Sequence, residues 1–104
     1  MEDINIFLDD LRSFPKHGYQ CARTYSQCIL LLSIFKKKGV NIVNLDYDLG
    51  TPETGYDVLV YMKENSIYPK EIIVHSSHLE GVKKMEKYIQ DNFKDSKYYR
   101  VYCD

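Results

Sequence analysis

A chain of 104 residues is the length of one ordinary domain, and 44% apolar with 28% charged residues is the make-up of a globule that buries its own core. A formal charge of −1 supplies no field to gather a polyanion, which argues against binding of a DNA duplex. No stretch approaches the ~20 consecutive apolar residues of a membrane helix, which argues against a membrane partner. The start, Met1-Glu2-Asp3, lacks the positive charge of a secretory signal, so a cytoplasmic location is expected.

In chain order, Ile4 to Leu8 is a short apolar run that stops at Asp9-Asp10, and a second short strand is expected near Tyr19 to Ala22. Thr24 with Gln27 three residues on is a capping box, and Lys36-Lys37-Lys38 before Gly39 is a stop, which together place a helix over residues 25–36. Cations favour the negative end of a helix dipole, and this explains the lysines without a phosphate patch. Ile42 to Leu45 is a third strand. A second helix runs from Tyr56 to about Asn65, before Pro69, and Ile72 to Val74 is a fourth strand. A third helix runs from Leu79 to about Lys94, where Val82, Met85, Ile89 and Phe93 make one apolar stripe. Tyr98 to Cys103 is a last strand, rich in residues that suit a pleated surface. Cys21, Cys28 and Cys103 have no C-x-x-C spacing and read as reduced, packed thiols.

Short apolar strands alternating with helices, without repeat or linker, predict a single α/β domain over residues 1–104. Right-handed crossovers then give a doubly wound parallel sheet in the order 2-1-3-4-5. Ligands of such sheets sit at the carboxyl ends of the strands, where the order reverses, so Asp9, Asp10 and Asp46 are expected to converge there. Three converging carboxylates repel one another and call for a cation; all-oxygen donors suit magnesium or manganese. Without metal, Asp9→Asn is expected to relieve repulsion and stabilise the protein. Arg12 can fork onto two phosphate oxygens, Ser76 can donate a hydrogen bond, and His75 has the pKa range for proton transfer near neutrality. His17 lies in a polar loop and carries no assignment. Ser76 and Ser77 lack a G-x-S-x-G elbow, which weakens a serine-hydrolase reading.

The run from Gly18 through Asp46 to Leu59 resembles the second strand to the third helix of a response-regulator receiver domain. That resemblance implies a flavodoxin-like fold, with Asp9 and Asp10 as the acid pair and Asp46 as the phospho-accepting aspartate. It also implies the backbone carbonyl of Asp48 as a metal ligand and Ser76 as a phosphate contact. The first receiver helix is reduced to Leu11 through Pro15, the last is absent after strand five, and residues 98–104 contain no lysine. F-L-D-D-L-R, L-D-Y-D-L-G followed by T-G-Y-D-V-L, and I-V-H-S more closely resemble the receiver-like family named for cyclic-phosphate processing. Tyr47 stands where a histidine is expected, and His78 where an asparagine is.

The resemblance implies a metal-dependent phosphoesterase-like domain acting on a cyclic phosphate of a nucleotide or RNA end. His75, Asp46 and Ser76 would carry the chemistry, Arg12, Ser77 and His78 would hold the ligand, and Asp9, Asp10, Asp46 and Asp48 would hold the metal. A noncatalytic receiver-like module that binds a nucleotide or a protein is the alternative. The D-x-D of Asp46 and Asp48 is also found in haloacid-dehalogenase-like phosphatases and toprim domains, but in the former it belongs to the first strand rather than the third.

With two receiver helices reduced or missing, one face of the sheet lacks cover. Its rows mix Phe7 with Asn5 and Ile42 with Asn44, and ten tyrosines suit an amphipathic interface. A homodimer across the face carrying Phe7 is expected, unless residues 11–18 fold back over it.

Overall fold

The computed structural model describes residues 3–15 and 17–102. Five strands, β1 (Asn5–Leu8), β2 (Gln20–Ala22), β3 (Ile42–Leu45), β4 (Glu71–His75) and β5 (Lys97–Val101), make one sheet in the order β2-β1-β3-β4-β5. Every neighbouring pair is parallel, as expected from the sequence. Helices α1 (Tyr25–Phe35), α2 (Gly55–Glu64) and α3 (Leu79–Asn92) are the crossovers from β2 to β5. Those crossovers all step the same way across the sheet, so right-handedness puts the three helices on one face. Among the described residues no helix is long and apolar enough to cross a membrane.

The helices begin where side chains satisfy their free N–H groups. Thr24 Oγ1 accepts from Gln27 N at 3.1 Å, but Gln27 Oε1 reaches back to Arg23 N rather than to the cap itself, which displaces half of the expected capping box by one residue. At α2, Thr54 N donates to Asp57 Oδ2 at 2.8 Å. The third helix stops at Asn92, two residues before its expected end, because Phe93 leaves helical geometry and turns its ring into the core. Cys103, and with it the expected end of the last strand, lies outside the described residues.

On the helix side, Ile6, Leu8, Val43, Leu45, Ile72 and Val74 are fully buried against Cys28, Leu32, Val58, Leu59, Met62, Val82 and Met85. On the other side, Phe7 is only 8% exposed, since Phe14 and Tyr19 meet it edge-on with ring centroids 6.2 and 6.0 Å away. Residues of the β1–β2 connection thus fold back over this face, the alternative to a dimer built on Phe7. On the same face Ile73, Tyr99 and Val101 stay partly exposed.

The register decides what meets at the top of the sheet. Leu8 pairs with Leu45, and Leu45 with Val74, so the next residues along, Asp9, Asp46 and His75, stand side by side. Alternation turns all three toward the face opposite the helices. Asp9 N still bonds Ala22 O at 3.1 Å and Asp46 N bonds Leu8 O at 3.0 Å, which carries the ladder one residue past the strands and fixes both aspartates.

Candidate active site

Asp9 is 1% exposed and completely engaged. Its Oδ1 accepts from the backbone N–H groups of Leu11 and Arg12, each at 2.9 Å, which folds residues 9–12 into a tight turn. Its Oδ2 faces Arg12 Nε at 3.3 Å and His75 Nε2 at 3.0 Å. Burial alone would raise its pKa, but the Arg12 and Leu11 N–H groups and His75 outweigh that, and the carboxyl lies below the ordinary value.

Asp46, one strand over, has the opposite balance. Burial pushes its carboxyl up to about 6; the Ser76 hydroxyl and the Tyr47 N–H oppose the rise, and the charges of Asp9 and Asp10 add to it. Its neighbourhood is kept tight by Gly55, where a Cβ would lie 2.0 Å from Asp46 O, so the first residue of α2 can approach only as glycine. Gly50, with φ of +70°, lets the following loop turn beside Asp10, whose Oδ2 would be 3.3 Å from any Cβ there.

Asp9, Asp10, Leu11, Arg12, Asp46, Asp48, Gly50 and Ser77 line an open cleft of ≈ 440 Å³ at this end of the sheet. Residues 4–91 match the family described as the cyclic-phosphate processing receiver domain. The chain belongs to that family. No curated protein matches it.

In this receiver domain the cleft gathers six of the residues singled out from the sequence: Asp9, Asp10, Asp46 and Asp48 of the acid set, with Arg12 and Ser77 of the ligand-holding set. Asp48 closes a local turn, its Oδ1 accepting from Gly50 N at 2.9 Å. The other three do not line it. Ser76 is 2% exposed and its Oγ accepts from His78 N at 3.2 Å. His78 is the N-cap of α3, with Nδ1 accepting from Gly81 N at 2.9 Å and its ring against Tyr47 at 4.7 Å. His75 is 3% exposed, beside Asp9 rather than on the cleft wall. Burial lowers its pKa, against the pull of Asp9.

The donor set fits a hard divalent cation. Asp46 carries a carboxylate with too few donors, Asp10 and Asp48 share its cleft, and the lining holds no sulfur. Asp9, Asp46 and His75 each have a donor atom within 4.8 Å of the others, so the same corner could hold an ion.

Three contributors escaped the sequence reading. Arg23, just after β2, donates from Nη1 to Asp9 O at 3.1 Å and to Arg12 O, and its guanidinium lies 3.8 Å from the Phe14 ring centroid, pinning the 9–12 turn. Arg100 Nη2 donates to Ser76 O at 2.7 Å and holds the end of β4. Asn44 faces His75. An amide in the middle of a central, otherwise apolar strand needs a partner, and that signal was available in I-V-N-L.

Proposed function

We propose that this receiver domain processes a cyclic phosphate of a nucleotide or RNA end in a metal-dependent reaction. The observation that carries the reading is the under-compensated Asp46 carboxylate, raised to about 6, in a cleft it shares with Asp10, Asp48, Arg12 and Ser77. Asp46, Asp10 and Asp48, beside the fixed Asp9, would hold magnesium or manganese, which when bound supplies charge neutralisation to phosphate oxygens. Arg12, anchored through Nε on Asp9 and 37% exposed, directs its remaining guanidinium donors at the same oxygens, and the Ser77 hydroxyl adds another.

Turnover of a 2′,3′-cyclic nucleotide in millimolar magnesium or manganese tests this. Ring opening is expected from the wild type and not from Asp46→Asn, and identical rates for the two would contradict it. One observation favours the noncatalytic alternative: His75, the expected proton carrier, does not line the cleft. A cyclic nucleotide bound tightly by the wild type without turnover would select that reading.

A further inference from the structure

His75 is gripped on three sides. Phe7 stacks on its ring with centroids 4.8 Å apart and planes 4° from parallel, Nδ1 faces Asn44 Oδ1, and Nε2 is 3.0 Å from Asp9 Oδ2. At 3% exposure neither nitrogen is left over for a substrate. We infer that His75 is a positioning residue rather than a proton carrier: its Nε2–H fixes the Asp9 carboxylate at the end of β1, opposite Asp46, and so sets the geometry in which a metal is held. This rests on the metal-dependent reading above.

Three proton arrangements are available to the ring. A charged ring donates from both nitrogens, to Asn44 Oδ1 and to Asp9. A neutral ring protonated at Nε2 donates to Asp9 and accepts from the Asn44 NH₂, reached by turning that amide through half a circle. A neutral ring protonated at Nδ1 would aim a lone pair at a carboxylate oxygen 3.0 Å away in a site shielded from water, which is repulsive. Both acceptable arrangements put the N–H on Asp9. Asp9 Oδ1 is already taken by the Leu11 and Arg12 N–H groups, so the buried His75 bond, with the partly exposed Arg12 Nε at 3.3 Å, fixes the second oxygen and with it the rotation of the carboxylate. Asp9 stands within 4.8 Å of Asp46 at the metal corner, so a carboxylate left free to turn would disturb that site; supporting partners of this kind typically affect metal affinity by about 10–100-fold. Phe7 and Asn44 hold the ring in place, which gives the polar Asn44 its purpose on a central strand.

The test combines Mn²⁺ binding by calorimetry with ¹⁵N NMR of the imidazole in the metal-free protein. Proton attachment at Nε2 in the wild type is expected, with Mn²⁺ affinity falling about 10–100-fold in His75→Ala. His75→Gln, whose side-chain N–H reaches the same position, is expected to recover most of that loss. If His75→Ala does not fold, Asn44→Ala provides the second variant, expected to weaken Mn²⁺ binding less than ring removal would. Proton attachment at Nδ1 alone, wild-type Mn²⁺ affinity in the variants that fold, or a His75→Gln with no recovery over His75→Ala would overturn the inference. A wild type that takes up no Mn²⁺ instead overturns the metal reading beneath it, while the NMR result separately decides whether His75 holds Asp9.

Discussion

Asp9 and Asp46 follow adjacent parallel strands and point to the same face, yet their surroundings differ in kind. Asp9 is the more deeply buried and keeps its charge, because two backbone N–H groups, Arg12 and His75 surround it. At Asp46 burial lifts the carboxyl to about 6, because only the Ser76 hydroxyl and one N–H are set against it and two neighbouring acids add to it. Burial is the largest influence on both carboxyls; at Asp9 the surrounding donors outweigh it, and at Asp46 they do not. The first corner is satisfied by the protein itself, and the second is left for something from outside.

The largest test of that contrast is Asp9→Ala. It would strand His75, the Arg12 guanidinium and two N–H groups around a 1% exposed site, and a loss of about 3–5 kcal/mol in urea unfolding is expected. A loss below about 1 kcal/mol would mean the donors are not organised by Asp9.

Asp46→Asn is expected to act in the opposite sense in metal-free protein. A carboxyl whose folded pKa is raised favours folding while protonated; its contribution is complete below the ordinary carboxylate range and is lost as pH rises through about 6. Replacing it removes that loss, so the variant gains on the order of 1–2 kcal/mol over the wild type between about pH 4 and about pH 7, after allowance for solvent screening. Asp9, lowered, and His75, lowered, both work the other way, their contributions disappearing as pH falls. The difference between wild type and variant, rather than either curve alone, is therefore the quantity to plot. The relief of repulsion that the sequence suggested at Asp9 belongs at Asp46.

The smallest effect concerns His78. Asparagine is as good an N-cap as any residue, so His78→Asn should leave stability within about 0.5 kcal/mol, whereas His78→Ala should lose about 1 kcal/mol with the Gly81 contact. A large loss of ligand binding in His78→Asn at unchanged stability would restore the ligand-holding role expected from the sequence.

The sheet order and the meeting of Asp9 with Asp46 were legible because they follow from apolar runs, crossover handedness and the rule that sites form at strand ends. Which acid is compensated was not legible. Two of the four donors to Asp9 are main-chain groups that exist only once the turn of residues 9–12 has formed. A third comes from His75, 66 residues away in sequence. The cover on Phe7 was legible only as an alternative to a dimer: Phe14 lies in a connection without periodicity, so nothing local marks it as core. His78 was expected to hold the ligand on the strength of the family resemblance, and only the 2.9 Å contact to Gly81 N reveals its task as a cap.

The most direct measurement is thermal unfolding of the wild type and Asp46→Asn across a magnesium titration at neutral pH. A metal held by the folded state alone raises wild-type stability by about 2.7 kcal/mol at a hundred times its Kd, and Asp46→Asn should show little of this rise. A wild type unmoved by high magnesium, or an Asp46→Asn protein that rises in parallel with it, would contradict a metal centre built on Asp46.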